Sequence, residues 1–325
     1  MTTDLISDLI ALEGAGCRVT ELEQRREWPV AESGQVQVGV HRGGALPSSG
    51  LEAFDILLSV APDPPRPWTG VASDRLDAVI ADLEARVAAQ PAAAGVAAQI
   101  LRMTLALDFG QALQLESLAY STLLHSRGFQ SWRASRPARE RVDPEPRVLM
   151  AMDRGTLSIC LNRPAARNAF DAAMRDALCE ALDFARVHPD APPVALSGVG
   201  CAFSTGGDLN EFGKASDPAE AHLIRTLRSP ASLVRALGER LTVQLHGDCI
   251  GAGIEVPAAA ARVTARAGTV CRLPEVSMGL IPGAGGTASI PRRIGRHRAA
   301  YMAISGAPID LATALDWGLV DAEIT

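Results

Sequence analysis

Two glutamates with apolar neighbours stand out as residues that could transfer protons. Glu275 lies in the run LPEVSMGLIPGAGGT, where a turn of proline and glycine follows it, and Glu255 ends the run HGDCIGAGIE. Most glutamates are surface residues, but the apolar residues on both sides of these two argue against simple exposure. A buried carboxyl group beside a glycine-shaped backbone suits proton transfer to or from a bound ligand. Both glutamates are therefore candidate catalytic residues.

Two glycine clusters add a second kind of chemistry, the stabilisation of negative charge by backbone amides. Gly206 and Gly207 are adjacent in the run CAFSTGGDL, and GAG occupies positions 251–253. Each cluster allows close approach of the backbone and precedes an expected helix start, where N–H groups lack an intrahelical partner. Preorganised donors of this kind are worth roughly 3 to 4 kcal/mol each in comparable sites. Either cluster alone is also explained as a simple turn, but the two together favour a site for a developing anion.

The first 70 residues carry short, separate signals. Leu5, Leu9 and Leu12 have the spacing of an amphipathic helix, QVQVGV alternates like a strand, and FDILLSV is typical of a buried strand. The prolines of APDPPRPW exclude a helix or a central strand there and predict a stiff connector. We treat residues 1–70 as an N-terminal extension.

Helical periodicity follows, and then an alternating pattern. Apolar residues at helical spacing between positions 73 and 132 predict three helices, with Pro91 starting the second, and ASRPARERVDPEP is typical of a linker. Residues 71–146 are assigned to this helical region and its linker. In residues 147–325, VLMAMDRGTLSICLN predicts a hairpin, AAMRDALCEALDFARV a helix and PPVALSGVG a strand. This alternation indicates the α/β class.

Composition excludes several classes of function. The chain has 325 residues, a net charge of −6 and no basic run, which argues against a nucleic-acid partner. No stretch approaches a membrane span or a signal peptide, and the six cysteines include no CxxC pair. The histidines show no metal-ligand spacing, so no metal site is predicted. We expect a cytoplasmic protein without membrane or nucleic-acid partners.

Four segments resemble, in content and in order, those of the crotonase superfamily, also called the enoyl-CoA hydratase/isomerase family. They are LNRPAARNAF, CAFSTGGDL, HGDCIGAGIE and LPEVSMGLIPGAGGT, and the resemblance covers residues from about 148 to 325. It implies an α/β fold with a crotonase-like spiral core of ββα units. It also implies an acyl-CoA substrate and a reaction through a thioester enolate, with no metal or redox cofactor.

The resemblance further implies where the substrate binds. Two backbone N–H groups, from the residues aligned with Ser204 and Ala252, would form an oxyanion hole. The backbone of Asn168 and Ala169 would contact the adenine end of CoA. The full set of oxyanion and substrate-binding residues is Ser204, Thr205, Gly206, Gly207 and Ala252.

The two glutamates match the pair that hydratases of this family use together. Glu255 would activate water at the β carbon, and Glu275 would deliver a proton at the α carbon. Two carboxylates that share a water can divide these tasks, because burial and mutual repulsion raise at least one pKa. The presence of both acids favours a hydratase that converts an enoyl-CoA to a 3-hydroxyacyl-CoA.

Several alternatives stay open. Within the family they are an enoyl-CoA isomerase, a thioester hydrolase and a cofactor-free arylacetyl-CoA dioxygenase, since the same oxyanion hole serves all of them. Outside catalysis, the chain could be an assembly subunit, although such a subunit has no use for buried acids.

The position of the helical region is unusual for the family. Family members continue past a run like ALDWGLVD into helices that build a trimer, whereas here similar helices precede the core. We hypothesise a circular permutation or the remnant of a tandem duplication, and an unrelated helical cap is the alternative. The resemblance implies a homotrimer or hexamer with these helices at the interface.

Overall fold

The computed structural model describes residues 16–22, 34–136, 146–215 and 217–325, and the helix expected around Leu5, Leu9 and Leu12 lies outside these ranges. The strands are β1 (Cys17–Glu21), β2 (Val36–His41), β3 (Ile56–Ser59), β4 (Thr69–Gly70), β5 (Val148–Asp153), β6 (Thr156–Leu161), β7 (Val194–Gly198), β8 (Leu241–Leu245), β9 (Asp248–Ile250), β10 (Arg262–Arg266), β11 (Val270–Arg272), β12 (Ile309–Asp310) and β13 (Ala322–Ile324). The α-helices are α1 (Leu76–Ala89), α2 (Pro91–Met103), α3 (Phe109–Leu123), α4 (Arg127–Ala134), α5 (Ala172–Val187), α6 (Pro218–Leu227), α7 (Pro230–Leu237), α8 (Ala252–Glu255), α9 (Gly286–Ile294), α10 (Arg296–Ser305) and α11 (Leu311–Trp317). Short 3-10 turns occupy Leu51–Ala53, Thr104–Ala106, Pro164–Ala166, Gly238–Arg240, Pro257–Ala259 and Glu275–Met278.

A six-stranded sheet forms the centre of the α/β core, in the order β13-β10-β8-β7-β6-β5. Its pairs are parallel except for the β5–β6 hairpin. Helix α5 begins at the Asp171 cap, whose Oδ1 accepts the Met174 N–H at 2.7 Å. Its buried side chains, among them Leu178 and Leu182, recur at the three-to-four-residue spacing of one helix face. The hairpin, the helix and strand β7 confirm the sequence predictions for this region.

The N-terminal strands β1 to β4 form a separate parallel sheet in chain order. The strands predicted in QVQVGV and FDILLSV are β2 and β3, and no helix or strand interrupts residues 61–68, as the prolines there require. Val36, Val38 and Val40 belong to the same buried cluster as the central sheet. The division of the chain at residues 70 and 146 stays a prediction.

The helices that precede the core pack against its C-terminal part. Helices α1 and α2 contact α10, α3 contacts α9, and α4 contacts the 3-10 turn at 275–278. Thr104 Oγ1 donates to the Thr287 carbonyl at 2.8 Å, and Arg292 Nη2 donates to the Leu107 carbonyl at 2.7 Å. The helical region therefore forms a wall of the core, while its origin by circular permutation stays a hypothesis.

Helix α3 does not present a uniform apolar stripe to solvent. Leu113 and Tyr120 line a cavity and Leu123 is buried, whereas Leu118 is 53% exposed. A homotrimer or hexamer built on these helices stays a prediction. Among the described residues, no helix has both the length and the apolar character needed to cross a bilayer.

Candidate active site

Two parallel strands bring the predicted catalytic glutamates together. In the sheet ordered β12-β11-β9, strands β9 and β11 are parallel, with Ile250 paired to Arg272. The Gly251 N–H continues this pairing by donating to the Arg272 carbonyl at 2.9 Å. Because parallel strands end at the same sheet edge, helix α8 with Glu255 and the turn that begins at Glu275 start side by side.

The Glu255 side chain is fixed by a glycine-rich loop. It is 2% exposed, and its Oε2 accepts the N–H groups of Ala284 at 2.7 Å and Gly286 at 2.9 Å. Two backbone donors on one oxygen hold the carboxyl in a single orientation and favour its charged form.

The Glu275 carboxyl is buried but much less constrained. It is 8% exposed, and its Oε2 has no hydrogen-bond partner in the described part of the chain. A Cβ placed on Gly251 would lie 2.3 Å from Glu275 Oε1 and 3.7 Å from Glu255 Oε1. Both oxygens therefore face the same point above Gly251, whose φ of +53° also favours glycine.

Burial raises the pKa of both glutamates. For Glu255 the rise is large; the charges of Glu275 and Glu116 add to the effect of burial, and the two loop amides oppose it. For Glu275 burial again dominates and Glu116 adds to it, while its own backbone amide and Arg272 lower the pKa. Buried acids that interact electrostatically titrate as a unit, and the raised pKa of Glu275 keeps a proton on the pair near neutral pH.

A third buried acid, Glu116 on α3, was not identified from the sequence. Its Oε1 accepts the Gly285 N–H at 2.7 Å, and its Oε2 accepts the Thr287 N–H at 2.8 Å and the Thr287 hydroxyl at 2.7 Å. Glu116 thus binds the same 284–287 loop that binds Glu255, although it precedes Thr287 by 171 positions in the chain. The sequence feature that could have identified Glu116 is an acidic residue on the buried face of a helix, four residues before Tyr120.

Glu116→Gln is expected to weaken the loop that orients Glu255. The Gln amide group would direct N–H bonds at backbone donors, leaving at least one buried N–H without an acceptor. We expect unfolding free energy to fall by about 1–3 kcal/mol and kcat to fall with it. Chemical denaturation and steady-state kinetics test this, with Glu180→Gln as the matched control, because Glu180 is exposed on α5. Equal stability of the two variants would contradict the role assigned to Glu116.

The stability of the protein should fall as pH rises, and Glu275 should contribute to this. Burial raises its folded-state pKa to about 8, whereas an unfolded glutamate titrates near about 4.3. Between these values the folded state binds a proton that the unfolded state has lost, so unfolding free energy decreases with pH. One such group contributes at most about 1.4 kcal/mol per pH unit. Between pH 5 and pH 8, the unfolding free energy from denaturant titrations should fall less steeply with pH for Glu275→Gln than for wild type. The same dependence on pH in both proteins would contradict this contribution of Glu275.

The predicted oxyanion and substrate-binding residues divide into two groups. The N–H of Ser204 donates to the Asp248 carbonyl at 3.3 Å, that of Thr205 to the Arg167 carbonyl at 3.0 Å, and that of Gly206 to Ser204 Oγ at 3.2 Å. These amides are engaged, and Ser204 itself is fully buried. The Ser204 N–H closes the loop onto the strand of Asp248, so it is not available as an oxyanion donor in this structure.

Gly207 and Ala252 form the second group. Both line the cavity that also contains Glu255 and Glu275, and neither N–H has an acceptor within the described ranges. A Cβ on Gly207 would lie 2.4 Å from the Phe212 ring, so the close packing there requires glycine. Ala252 is the first residue of α8, where an amide lacks an intrahelical partner.

Asn168 and Ala169 have structural roles in this conformation. The Asn168 side chain accepts the Arg163 N–H at 2.8 Å and donates to the carbonyls of Val199 at 2.9 Å and Ala202 at 3.0 Å. The Ala169 carbonyl accepts Arg163 Nη1 at 2.9 Å. A CoA contact at these two residues stays a prediction. Any such contact would use backbone carbonyls that already accept one hydrogen bond.

Arg163 and Asp208 explain why this loop is rigid. Arg163 is 3% exposed, and its Nη2 lies 2.7 Å from Asp208 Oδ2. Asp208 Oδ1 also accepts the Asn210 N–H at 2.9 Å. Asp208 therefore orients the loop, and Arg163 is a buried partner of this acid and not a surface residue.

The cavity itself has a volume of about 260 Å³. The two candidate catalytic glutamates and the two free amides lie on its wall with Glu116. Leu113, Tyr120 and Phe212 supply apolar surface. Its dimensions and mixed lining suit a small ligand whose polar group meets the amides and whose apolar part meets α3.

Comparison with known proteins identifies the family. Residues 152–324 match the family model of enoyl-CoA hydratase/isomerase. The chain is 32% identical over 177 residues to the 2,3-dehydroadipyl-CoA hydratase of Escherichia coli, a match that covers 53% of this chain and 67% of that protein. It is 31% identical over 176 residues to an enoyl-CoA isomerase/hydratase of Mycosarcoma maydis, with 51% and 64% covered.

A solved structure leads to the same family. The enoyl-CoA hydratase from Thermoplasma volcanium is similar at a TM-score of 0.51 and 31% identity, over 55% of this chain and 71% of that one. The matches span about two thirds of the length of these curated relatives. The chain belongs to the enoyl-CoA hydratase/isomerase family, the crotonase superfamily, and shares its α/β fold.

Proposed function

We propose that the protein hydrates a trans-2-enoyl-CoA to a 3-hydroxyacyl-CoA. The observation that carries the proposal is the convergence of Glu255 Oε1 and Glu275 Oε1 on one point above Gly251. A water in the cavity next to this point, between the two carboxyls, would lie close to both acids and to the free amide of Ala252, which follows Gly251 in the chain.

The oxyanion hole of this proposal is formed by the N–H groups of Gly207 and Ala252. A thioester carbonyl placed between them would accept two hydrogen bonds that strengthen as negative charge moves onto its oxygen. The choice of Gly207 over Ser204 rests on hydrogen bonding, since only Gly207 keeps its N–H free toward the cavity.

We assign the acid and base roles by the hydrogen bonds of the two carboxyls, because burial raises the pKa of both. The loop amides of Ala284 and Gly286 support negative charge on Glu255, so Glu255 takes a proton from water as its oxygen attacks C3. Glu275, with Oε2 unpartnered, carries the shared proton and delivers it to C2.

The proposed step balances without any further reactant. Water supplies the hydroxyl group on C3 and one proton to Glu255, while the proton of Glu275 forms the new C–H bond at C2. The pair ends with its proton on Glu255 and returns to the starting state by transfer between two carboxyls that share a site. No metal or redox cofactor enters this reaction. A cytoplasmic location and a homotrimeric or hexameric state accompany the proposal as expectations from the family.

The experiment follows crotonyl-CoA with purified protein through the loss of ultraviolet absorbance of the conjugated thioester. Loss of absorbance, with 3-hydroxybutyryl-CoA recovered, is the expected result. Unchanged absorbance together with deuterium exchange at C2 or C4 would replace the hydratase by an isomerase. Failure to bind any acyl-CoA by calorimetry would favour the assembly subunit.

A further inference from the structure

The cavity wall contains an arginine, Arg225, that the proposed reaction does not use. Arg225 lies in the last turn of α6 and lines the cavity together with Glu255 and Glu275. Its guanidinium Cζ lies 5.0 Å from the centre of the Tyr120 ring. A Cβ on Gly283 would lie 2.3 Å from the same ring. The Tyr120 ring therefore contacts both Arg225 and the loop that holds Glu255.

The guanidinium is oriented by α3 and keeps one nitrogen available. Nε donates to Ser117 Oγ at 3.1 Å, and Nη2 donates to the Ser117 carbonyl at 3.3 Å and to Ser121 Oγ. Nη1 has no acceptor in the part of the chain that the structure describes. The serines thus fix the plane of the group while leaving two N–H bonds unused.

No carboxylate of the described residues pairs with this cation. Glu116 is the acid that acts on it electrostatically, but both Glu116 oxygens are engaged by Gly285 and Thr287. Burial lowers the pKa of Arg225, which is the effect of removing a charge from water without a close counter-ion. Such a group gains substantially from an anion that arrives with a ligand.

We propose that Arg225 binds a carboxylate at the far end of the acyl chain, so that the preferred substrates are CoA monothioesters of unsaturated dicarboxylic acids. This inference rests on the proposed function, because it places the thioester at Gly207 and Ala252. The methylene groups would then run along Leu113 and Tyr120, which line the cavity on α3. The acyl terminus would meet Nη1 of a guanidinium that two serines already hold in place.

The test measures binding of adipoyl-CoA and hexanoyl-CoA, which have six acyl carbons each and differ in the terminal carboxylate. Neither has a double bond to hydrate, so calorimetric binding does not depend on the proposed reaction. Wild type should bind adipoyl-CoA about 10- to 100-fold more tightly, the range expected for a charge-assisted hydrogen bond. Arg225→Met should remove this preference by weakening adipoyl-CoA alone. Arg225→Lys, which keeps the charge and is the milder change, should keep part of it.

The matched control is Arg235→Met, which removes the same charge from an exposed position on α7 outside the cavity lining. It should keep the wild-type preference. Equal binding of the two thioesters by wild type would overturn the proposal. Equal weakening of both thioesters and of free CoA by Arg225→Met would assign Arg225 to a CoA phosphate instead. If wild type prefers adipoyl-CoA over hexanoyl-CoA but hydrates no enoyl-CoA, this inference stands and only the proposed reaction is refuted.

Discussion

Glu275→Gln is expected to lower kcat for the hydration of crotonyl-CoA by about 10²- to 10⁴-fold. The substitution conserves the shape of the side chain but removes the proton that C2 must receive. The wild-type carboxyl is 8% exposed with an unpartnered Oε2, so bulk water cannot readily take its place. Because the amides of Gly207 and Ala252 are untouched, KM should change much less than kcat. Rates from the absorbance assay and affinity for free CoA from calorimetry give the two quantities.

The Glu255→Gln variant distinguishes the role of Glu255 from that of Glu275. Its Oε2 position accepts two N–H groups, so a glutamine placed with its oxygen there can keep those bonds while losing the basicity that activates water. Exchange of the C2 proton of 3-hydroxybutyryl-CoA in deuterium oxide should survive better in Glu255→Gln than in Glu275→Gln. Activity of Glu275→Gln within tenfold of wild type would refute its role as proton donor.

The sequence was sufficient for the parts of the site that lie within one motif. Glu255 and Glu275 each lie in a motif that resembles the family, and that resemblance implied that the two acids act together. The structure adds that the strands before them pair. The hairpin at 148–161 and helix α5 were equally readable, because their hydrophobic periodicity is local. The hairpin and the helix depend on neighbours only a few residues away.

The parts that the sequence could not give depend on contacts between distant segments. Glu116 reaches Thr287 across 171 positions, and nothing near Glu116 in the chain identifies its partner. The free amide in the 204–207 loop was assigned to Ser204 because the motif contains several amides of equal standing. Only the bonds to Asp248 and Arg167, made by tertiary packing, show which of them are engaged.

Ala252→Pro is expected to abolish most activity by removing a single N–H. Proline suits the first residue of a helix, which Ala252 occupies in α8, and its ring fixes a φ that this position already favours. The preceding Gly251 has φ 53° and ψ −124°, the mirror image of the extended conformation that precedes proline, which glycine alone adopts readily. The fold should therefore tolerate the change.

The loss in kcat/KM should reach at least about 10²- to 10³-fold, the effect of deleting one oxyanion donor, and the proline ring would add to it by occupying the space of the thioester oxygen. Ala252→Gly keeps the N–H and should retain most of its activity, which separates the donor from the side chain. Free CoA binding and thermal unfolding report whether the site and the fold persist in both variants. A proline variant that still hydrates crotonyl-CoA within tenfold of wild type would show that the enolate is stabilised elsewhere, and the placement of the thioester between Gly207 and Ala252 would then be wrong.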